Sequence, residues 1–146
     1  IPMDKLVSNQ QVEAVSTWNV MQQNFIIAAI MIAGFLTFGM VSLYLLFYNG
    51  LILGESIIVS VTSGKPIGYV LVALLPHGTI EIIAILLSAS IGIKPIFWII
   101  SYLRKKPLNF KQEIRNVLTL VVIVYILLFI AGVIEGNITT KLIKMF

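Results

Sequence analysis

Four ionisable side chains within or at the ends of the apolar stretches of this sequence are candidates for chemistry. They are His77, Glu81, Glu55 and Glu135. His77 is the only histidine, and Glu81 follows it by four residues, so one face of a helix would carry both. A histidine and a carboxylate so placed can hydrogen bond, share a proton or bind a cation. The pattern leaves open a structural clamp between helices, a site for protons or ions, and a ligand contact.

Hydrolytic and metal chemistry fit the sequence poorly. A catalytic zinc takes about three protein ligands, commonly with two histidines four residues apart, whereas the chain has one histidine and no cysteine. No serine lies in a nucleophile-elbow context that could use His77. The segment 63–66 is a turn rather than a phosphate-binding loop. We therefore expect a protein that is not an enzyme, with no catalytic residue, metal or cofactor.

The composition of the chain indicates the environment that surrounds these side chains. Hydrophobic residues make up 59% of the chain and charged residues 11%, and the mean hydropathy is +1.03. A soluble domain has about 25% charged residues, so a soluble globule of this composition would expose large apolar patches. The sequence therefore predicts an integral membrane protein whose surroundings are the lipid bilayer.

The basic residues are concentrated in one loop. The net charge is +4 and there are ten lysines and arginines; half of them are Arg104, Lys105, Lys106, Lys111 and Arg115. Such clustering indicates membrane orientation rather than nucleic-acid binding, because basic loops stay on the cytoplasmic side. We predict that the loop 103–116 is cytoplasmic and that the C-terminus lies outside.

Two stretches meet the length of a membrane span, which is about 20 apolar residues. They are Phe25–Phe47 and Val117–Ile134. Between them, residues 51–75 are interrupted by the sequence Ser-Gly-Lys-Pro and are predicted to be either a broken crossing or a re-entrant segment. Residues 79–102 predict a further crossing, with a bend or restart near Lys94 because Pro95 follows it.

The expected fold is all-α: a polytopic membrane protein with about four membrane segments, one of them broken or re-entrant, packed as a small helical bundle. Residues 1–24 mix apolar, charged and amide side chains, which is typical of an amphipathic helix at the membrane interface. Residues 25–146 are predicted to be one transmembrane domain.

Small residues predict where the helices meet and turn. Glu81 heads a stripe with three- and four-residue spacing that continues through Ala84, Ser88 and Gly92. Such stripes let helix backbones approach closely in lipid, and Ala29 and Ala33 offer a counterpart in the first span. Two further pairs predict chain reversals and helix starts: Asn49 and Gly50 as a turn after the first span, and Pro76 and Gly78 as a helix entry.

Three phrases carry a family resemblance. YNGLILG (48–54), LLPHGTIEI (74–82) and AGVIEGNIT (131–139) resemble sequences of the stage II sporulation protein M family. The similarity extends over residues 19–140. It implies a multi-span membrane protein with five helices, the first of which would precede Ile1.

The resemblance also implies partners and residues. The namesake of the family belongs to a membrane complex with a peptidoglycan-degrading partner, and relatives occur beside transport ATPases. Expected partners are thus other membrane proteins, a transport ATPase or a second copy of the chain. The matching positions imply no catalytic role; they are Asn49, Gly50, Pro76, His77, Gly78, Glu81 and Glu135. The expected function is a non-enzymatic scaffold or complex subunit, and the alternative is a transporter or permease subunit using the His/Glu site.

Overall fold

The protein is an all-helical bundle. The computed structural model describes residues 17–135, and within that range it contains no strand. Helix α1 is Thr17–Ala33 and continues as a 3-10 turn, Gly34–Thr37. The other helices are α2 (Met40–Thr62), α3 (Ile67–Leu103) and α4 (Phe110–Ile134). The predicted fold class is confirmed.

Neighbouring helices in the chain run in opposite directions. Pairs of contacting residues show that α1 and α3 are parallel, because Asn24 meets Glu81 near one end and Phe35 meets Trp98 near the other. Helix α4 runs antiparallel to α1, since Phe25 packs edge-on against Tyr125 with ring centroids 5.5 Å apart, and Met21, earlier in α1, lies against Gly132, later in α4. Short turns between the helices produce this up-and-down order.

Within residues 17–135, four helical stretches are long and apolar enough to cross a membrane. They are Trp18–Thr37, Met40–Thr62, Leu74–Leu103 and Phe110–Ile134. Their outward faces carry large exposed apolar side chains, such as Leu36, Phe47 and Phe129. In water these side chains would drive aggregation, whereas lipid accommodates them. The chain is a multi-pass membrane protein.

The first predicted span is wrong, because residues 25–47 are not one helix. The chain reverses at Phe38 and Gly39, both of which have positive φ angles (52° and 83°). The Gly39 amide donates to the Gly34 carbonyl oxygen at 2.9 Å. Glycine adopts this backbone conformation without steric penalty, and a Cβ at Gly39 would also approach Ile93 Cα to 3.0 Å. Gly39 therefore serves a tight turn between two spans.

The predictions for the middle of the chain were also wrong. Residues 63–66 form a turn between two crossing helices, so 51–75 is neither a broken crossing nor a re-entrant segment. Asn49 and Gly50, predicted as a turn, lie inside α2. Pro76 and Gly78, predicted as a helix entry, lie inside α3, which starts at Ile67 after Pro66.

Both internal prolines are accommodated within one helix. Helix α3 is continuous through Pro76 and Pro95, so the chain does not restart near Lys94. Each proline leaves one main-chain carbonyl without its amide partner, which is tolerated in membrane helices where neighbouring helices or side chains satisfy it. Both prolines therefore lie inside one helix, whereas the sequence predicted a helix entry at Pro76 and a bend or restart near Lys94.

The predicted terminal segments lie only partly within the described range. Residues 17–24, expected at the interface, are part of α1 and of its membrane-length stretch. Residues 1–16 lie outside the described part of the chain. The same is true of 136–146, on which the prediction of an exterior C-terminus depends.

Small residues allow three helices to approach closely at one level. Ser42 of α2 is fully buried, and its hydroxyl donates to the Met31 carbonyl oxygen of α1 at 2.7 Å. Gly34 and Gly92 face this pair, since a Cβ on either glycine would overlap the Ser42 hydroxyl oxygen. We call Met31, Gly34, Ser42 and Gly92 the three-helix crossing.

The stripe on α3 lies in the core. Ala84 and Ser88 are fully buried, and Gly92 is buried with them. Ala84 belongs to one apolar cluster with Ala28, Val124 and other residues of α1, α3 and α4. The predicted counterpart was wrong, because Ala29 and Ala33 are exposed and it is Ala28 that faces inward.

An ion pair joins α3 and α4 near the loop that connects them. Lys94 Nζ lies 2.8 Å from Glu113 Oε2, with 22% and 28% of the two side chains exposed. The indole N–H of Trp98 donates to the same oxygen at 3.2 Å. The ring of Trp98 in turn packs edge-on against Phe35 and Phe110. The pair therefore fixes α1, α3 and α4 relative to one another at this end.

Changing Glu113 to glutamine should destabilise the bundle by about 2 kcal/mol. Removing one partner of a buried pair costs about 3–5 kcal/mol, while surface pairs are worth about 0–1 kcal/mol, and this pair is intermediate in exposure. Unfolding by SDS in mixed micelles measures the difference. The control is Lys111→Met, an exposed charge in the same helical turn, for which a change within about 0.5 kcal/mol is expected. Equal unfolding midpoints for the two variants would show that the ion pair contributes nothing.

Candidate functional site

Glu81 is held by a residue of another helix. The side-chain amide of Asn24 on α1 donates from Nδ2 to Glu81 Oε1 at 2.6 Å. Both side chains are half-buried. Placing a carboxylate within the bilayer costs free energy unless the group is paired or hydrated. A charge-assisted hydrogen bond is among the stronger polar contacts. The Asn24–Glu81 bond therefore couples α1 to α3 inside the bilayer.

Glu135 lies close enough to Glu81 for the two charges to repel. It caps the C-terminal end of α4, where the negative end of the helix dipole also disfavours a carboxylate. Its Oε2 is buried and has no hydrogen-bond partner within residues 17–135. The structure thus brings two of the predicted residues together, in an arrangement that disfavours two negative charges.

His77 lies one turn before Glu81 on α3. It is half-buried, and helical spacing places the two side chains on the same face. Gly78 beside it is buried against Leu74, whose Cδ1 would lie 3.2 Å from a Cβ at that position. Pro76 is half-buried in the same turn. The proline, histidine and glycine therefore belong to a continuous helix packed against its neighbours.

The fourth predicted polar residue lies elsewhere. Glu55 is on α2 and is exposed on the outside of the bundle. Its neighbour Ser56 faces inward toward α3, but Glu55 does not. The single polar site predicted from sequence is therefore divided into an internal part around Glu81 and an outer carboxylate at Glu55.

A cavity of about 450 Å³ lies between α1, α2 and α3, which is within the range of small-molecule sites. Its polar lining comes from Asn24, Asn49, Ser56 and Glu81, and the remaining lining is mostly leucine and isoleucine. Gly50 contributes a stretch of bare backbone, since a Cβ there would meet nothing within 4 Å. Glu81 is thus both clamped by Asn24 and open to a cavity.

Metal ligands are not grouped in this region. Across the described residues, no three histidine, cysteine, aspartate or glutamate side chains are close enough together to hold a metal ion. What the arrangement offers chemically is a set of hydrogen-bond acceptors in an apolar enclosure. Such a set can hold a cation, a proton or a donor group of a ligand.

Sequence reasoning missed two residues, Asn24 and Ser42, and gave Asn49 a different role. Asn24 was assigned to an interfacial segment, and Asn49 to a turn, yet both face the cavity. Ser42 was not singled out, although it occupies the three-helix crossing. A signal was available for Ser42, a small polar side chain in an otherwise apolar run, whereas Asn24 follows two glutamines and does not stand out.

The fold and the site define a class: a multi-pass helical membrane protein with a polar site between its helices. Within that class, the chain belongs to the stage II sporulation protein M family, whose family model matches residues 3–140. The family predicted from the three phrases is thereby confirmed.

Two proteins of Methanocaldococcus jannaschii are similar to this chain. The uncharacterized protein MJ0793 is 34% identical over 127 residues, which cover 85% of this chain and 71% of that protein. The uncharacterized protein MJ0706 is 39% identical over 75 residues, which cover 49% of this chain and 35% of that protein. No solved structure matches the chain.

Proposed function

We propose that this protein is a non-enzymatic subunit of a membrane complex, a scaffold whose helices bind other membrane proteins. The observation that carries the proposal is the outer face of α2. Ser42 is the one buried residue among those of α2, so the side of this helix that does not face the cavity has no partner within residues 17–135. That outward surface includes Glu55.

The position of Glu55 is unfavourable in lipid alone. At about 1.5 Å of rise per residue, Glu55 lies about 10 Å from the Thr62 end of α2, which is within the hydrocarbon of a bilayer about 30 Å thick. An ionised carboxylate at the centre of the bilayer costs about 3 kcal/mol on insertion scales. A partner that supplies a positive charge at this depth would remove most of that penalty.

The chain itself does not supply that charge between residues 17 and 135. There the ion pair is Lys94–Glu113, at the other end of the bundle. Lys65, in the turn after α2, has its ammonium 4.7 Å from the centroid of the Tyr69 ring. The chemistry of the α2 face therefore fits a membrane helix that carries lysine or arginine, from a transport ATPase, another membrane protein or a second copy.

Neutralising Glu55 should release the partner. We expect a photo-crosslinker at Val59, one turn from Glu55 and exposed, to form a protein adduct in native membranes. In Glu55→Gln that adduct should fall at least tenfold, because the charge that selects the partner is gone. Glu55→Asp should retain it. Differently tagged copies of the chain show whether the adduct is a homo-oligomer.

A crosslinker at Val122 provides the matched control, since this residue is equally exposed on α4. It should form mainly lipid adducts, independent of residue 55. If Val59 and Val122 give the same adducts, or if Glu55→Gln leaves the Val59 adduct unchanged, α2 is a lipid-facing helix and the proposal fails.

The alternative is a transporter or permease subunit that uses the internal polar site. It is favoured by Glu81, which lines the cavity and has Glu135 as an electrostatic neighbour, since neighbouring carboxylates are typical of sites that exchange protons or cations. The Asn24–Glu81 bond favours the structural clamp instead. If Glu81→Gln and His77→Ala abolish complementation of a deletion strain while the Val59 adduct persists, the transporter function is supported over the scaffold.

A further inference from the structure

The cavity between α1, α2 and α3 opens sideways toward lipid. Three of its lining side chains, Ile52, Ile82 and Leu86, are also 45%, 41% and 52% exposed on the outer surface. Apolar side chains that belong to both surfaces form a lateral mouth rather than a pore along the bundle axis. A molecule dissolved in the bilayer can therefore enter without passing through water.

The polar part of the cavity is rich in hydrogen-bond acceptors. Asn49 Nδ2 donates to the Leu45 carbonyl oxygen at 2.7 Å, which leaves its Oδ1 as an acceptor. Asn24 uses Nδ2 on Glu81 Oε1, so its own Oδ1 and the second oxygen of Glu81 remain. The Ser56 hydroxyl donates to the Ile52 carbonyl oxygen at 2.9 Å. Each amide also keeps a second N–H, so the groups left over are mainly acceptors, and one of them is a carboxylate.

Among the described residues 17–135, no lysine, arginine or histidine lines the cavity. A phosphate or carboxylate head group would therefore meet Glu81 without a compensating cation, which is unfavourable in an apolar enclosure. A head group with several N–H donors and a positive charge matches the acceptors instead. The charge and hydrogen-bonding pattern thus select among amphiphiles.

We propose that this cavity binds a long-chain primary amine from the bilayer. Its ammonium group donates to Glu81, Asn24 and Asn49. Its alkyl chain lies along Ile82 and Leu86 and leaves through the lateral mouth. The inference is independent of the scaffold function, because it concerns the inside of the bundle and not the outer face of α2.

The test uses the full-length protein in phosphatidylcholine nanodiscs with dodecylamine as the probe. Dodecanoate and dodecyltrimethylammonium are comparators with the same chain length. Native mass spectrometry counts bound probe, and thermal unfolding measures stabilisation, since a ligand that binds only the folded state raises Tm. We expect saturable binding of dodecylamine at a stoichiometry of one, at least tenfold tighter than either comparator. The quaternary amine binds weakly because it has no N–H donor.

Two glycines of α2 give a matched pair of variants. Gly50 lines the cavity and Gly54 does not, and a Cβ at either position meets nothing within 4 Å. We expect Gly50→Leu to fill the cavity and abolish dodecylamine binding, and Gly54→Leu to retain it. Glu81→Gln should weaken dodecylamine at least tenfold, because it removes the carboxylate that accepts from the ammonium group.

Two results would overturn the proposal. Equal binding of dodecylamine and dodecanoate by the wild-type protein would show that the head group is not recognised, and this comparison requires no variant to fold. Equal binding by Gly50→Leu and Gly54→Leu would show that the amine occupies another place on the protein.

Discussion

Gly92→Ala should lower the free energy of unfolding by about 3 kcal/mol or more, the upper part of the range for overpacked cores. A Cβ at Gly92 would overlap both the Ser42 hydroxyl oxygen and the main-chain carbonyl oxygen of Met31. The hydroxyl can rotate away only by breaking its 2.7 Å bond to Met31, and the carbonyl belongs to the backbone of α1. The added methyl group therefore has to separate helices. SDS unfolding in mixed micelles measures the loss.

Gly54→Ala is the matched control for this prediction. Gly54 is also a helical glycine, and a Cβ there meets nothing within 4 Å, so alanine should be neutral or add up to about 1 kcal/mol through helix propensity. The double variant Gly92→Ala/Ser42→Ala should recover part of the loss, because it removes the nearest of the three overlapping atoms, the Ser42 hydroxyl oxygen. A Gly92→Ala protein as stable as Gly54→Ala would mean that the three-helix crossing has room for a methyl group, and the prediction would be wrong.

Cysteines introduced one at a time should be either fully labelled or fully protected, according to the side of the membrane on which they lie. The native chain has no cysteine, so each introduced thiol reports alone. We expect Lys106→Cys, in the turn between α3 and α4, to be protected from an impermeant maleimide in intact cells. Ser63→Cys, in the turn between α2 and α3, should be labelled. The sign follows from the five basic residues around the α3–α4 turn, which should remain cytoplasmic.

Leu36→Cys extends the same experiment to the first turn. Leu36 is exposed next to the reversal at Gly39, and this turn should be protected together with Lys106. Labelling of Ser63 and Lys106 from the same side would contradict a crossing by α3. Protection of Ser63 with labelling of the other two would retain four crossings and reverse the orientation.

Composition and the lengths of the apolar stretches predicted much of the fold, but they did not predict the positions of the turns. Residues 117–134 were correctly predicted as helical and apolar, and α4 extends this stretch back to Phe110. The error at 25–47 arose because hydropathy does not distinguish one helix from two joined by a two-residue reversal. Gly39 could have indicated a turn, but a glycine inside an apolar run is also common in packed membrane helices. Tertiary contacts with Ile93 decide between these possibilities, and they are not visible in a local pattern.

The sequence predicted which residue types form the polar site, but not which residues they contact. Sequence spacing suggested that Glu81 belongs with His77, since they share a helix face. The structure gives Glu81 a hydrogen bond from Asn24 and an electrostatic neighbour in Glu135, and both come from other helices. Proximity between helices depends on crossing angle and register, which one sequence does not specify. Conversely, Glu55 was grouped with the internal residues because nothing in its neighbourhood indicates which side of α2 faces the bundle.

The length of α3 ties the protein to the thickness of its membrane. With 37 residues, the helix is about 55 Å long, whereas bilayer hydrocarbon is about 30 Å thick. Helix α3 must therefore tilt or extend beyond the hydrocarbon at its Ile67 end. Mismatch of this kind is relieved by tilting, kinking or deforming the surrounding lipid. Since α1 and α4 pack along α3 and the lateral mouth lies between α2 and α3, a change in bilayer thickness would bear directly on the width of that opening.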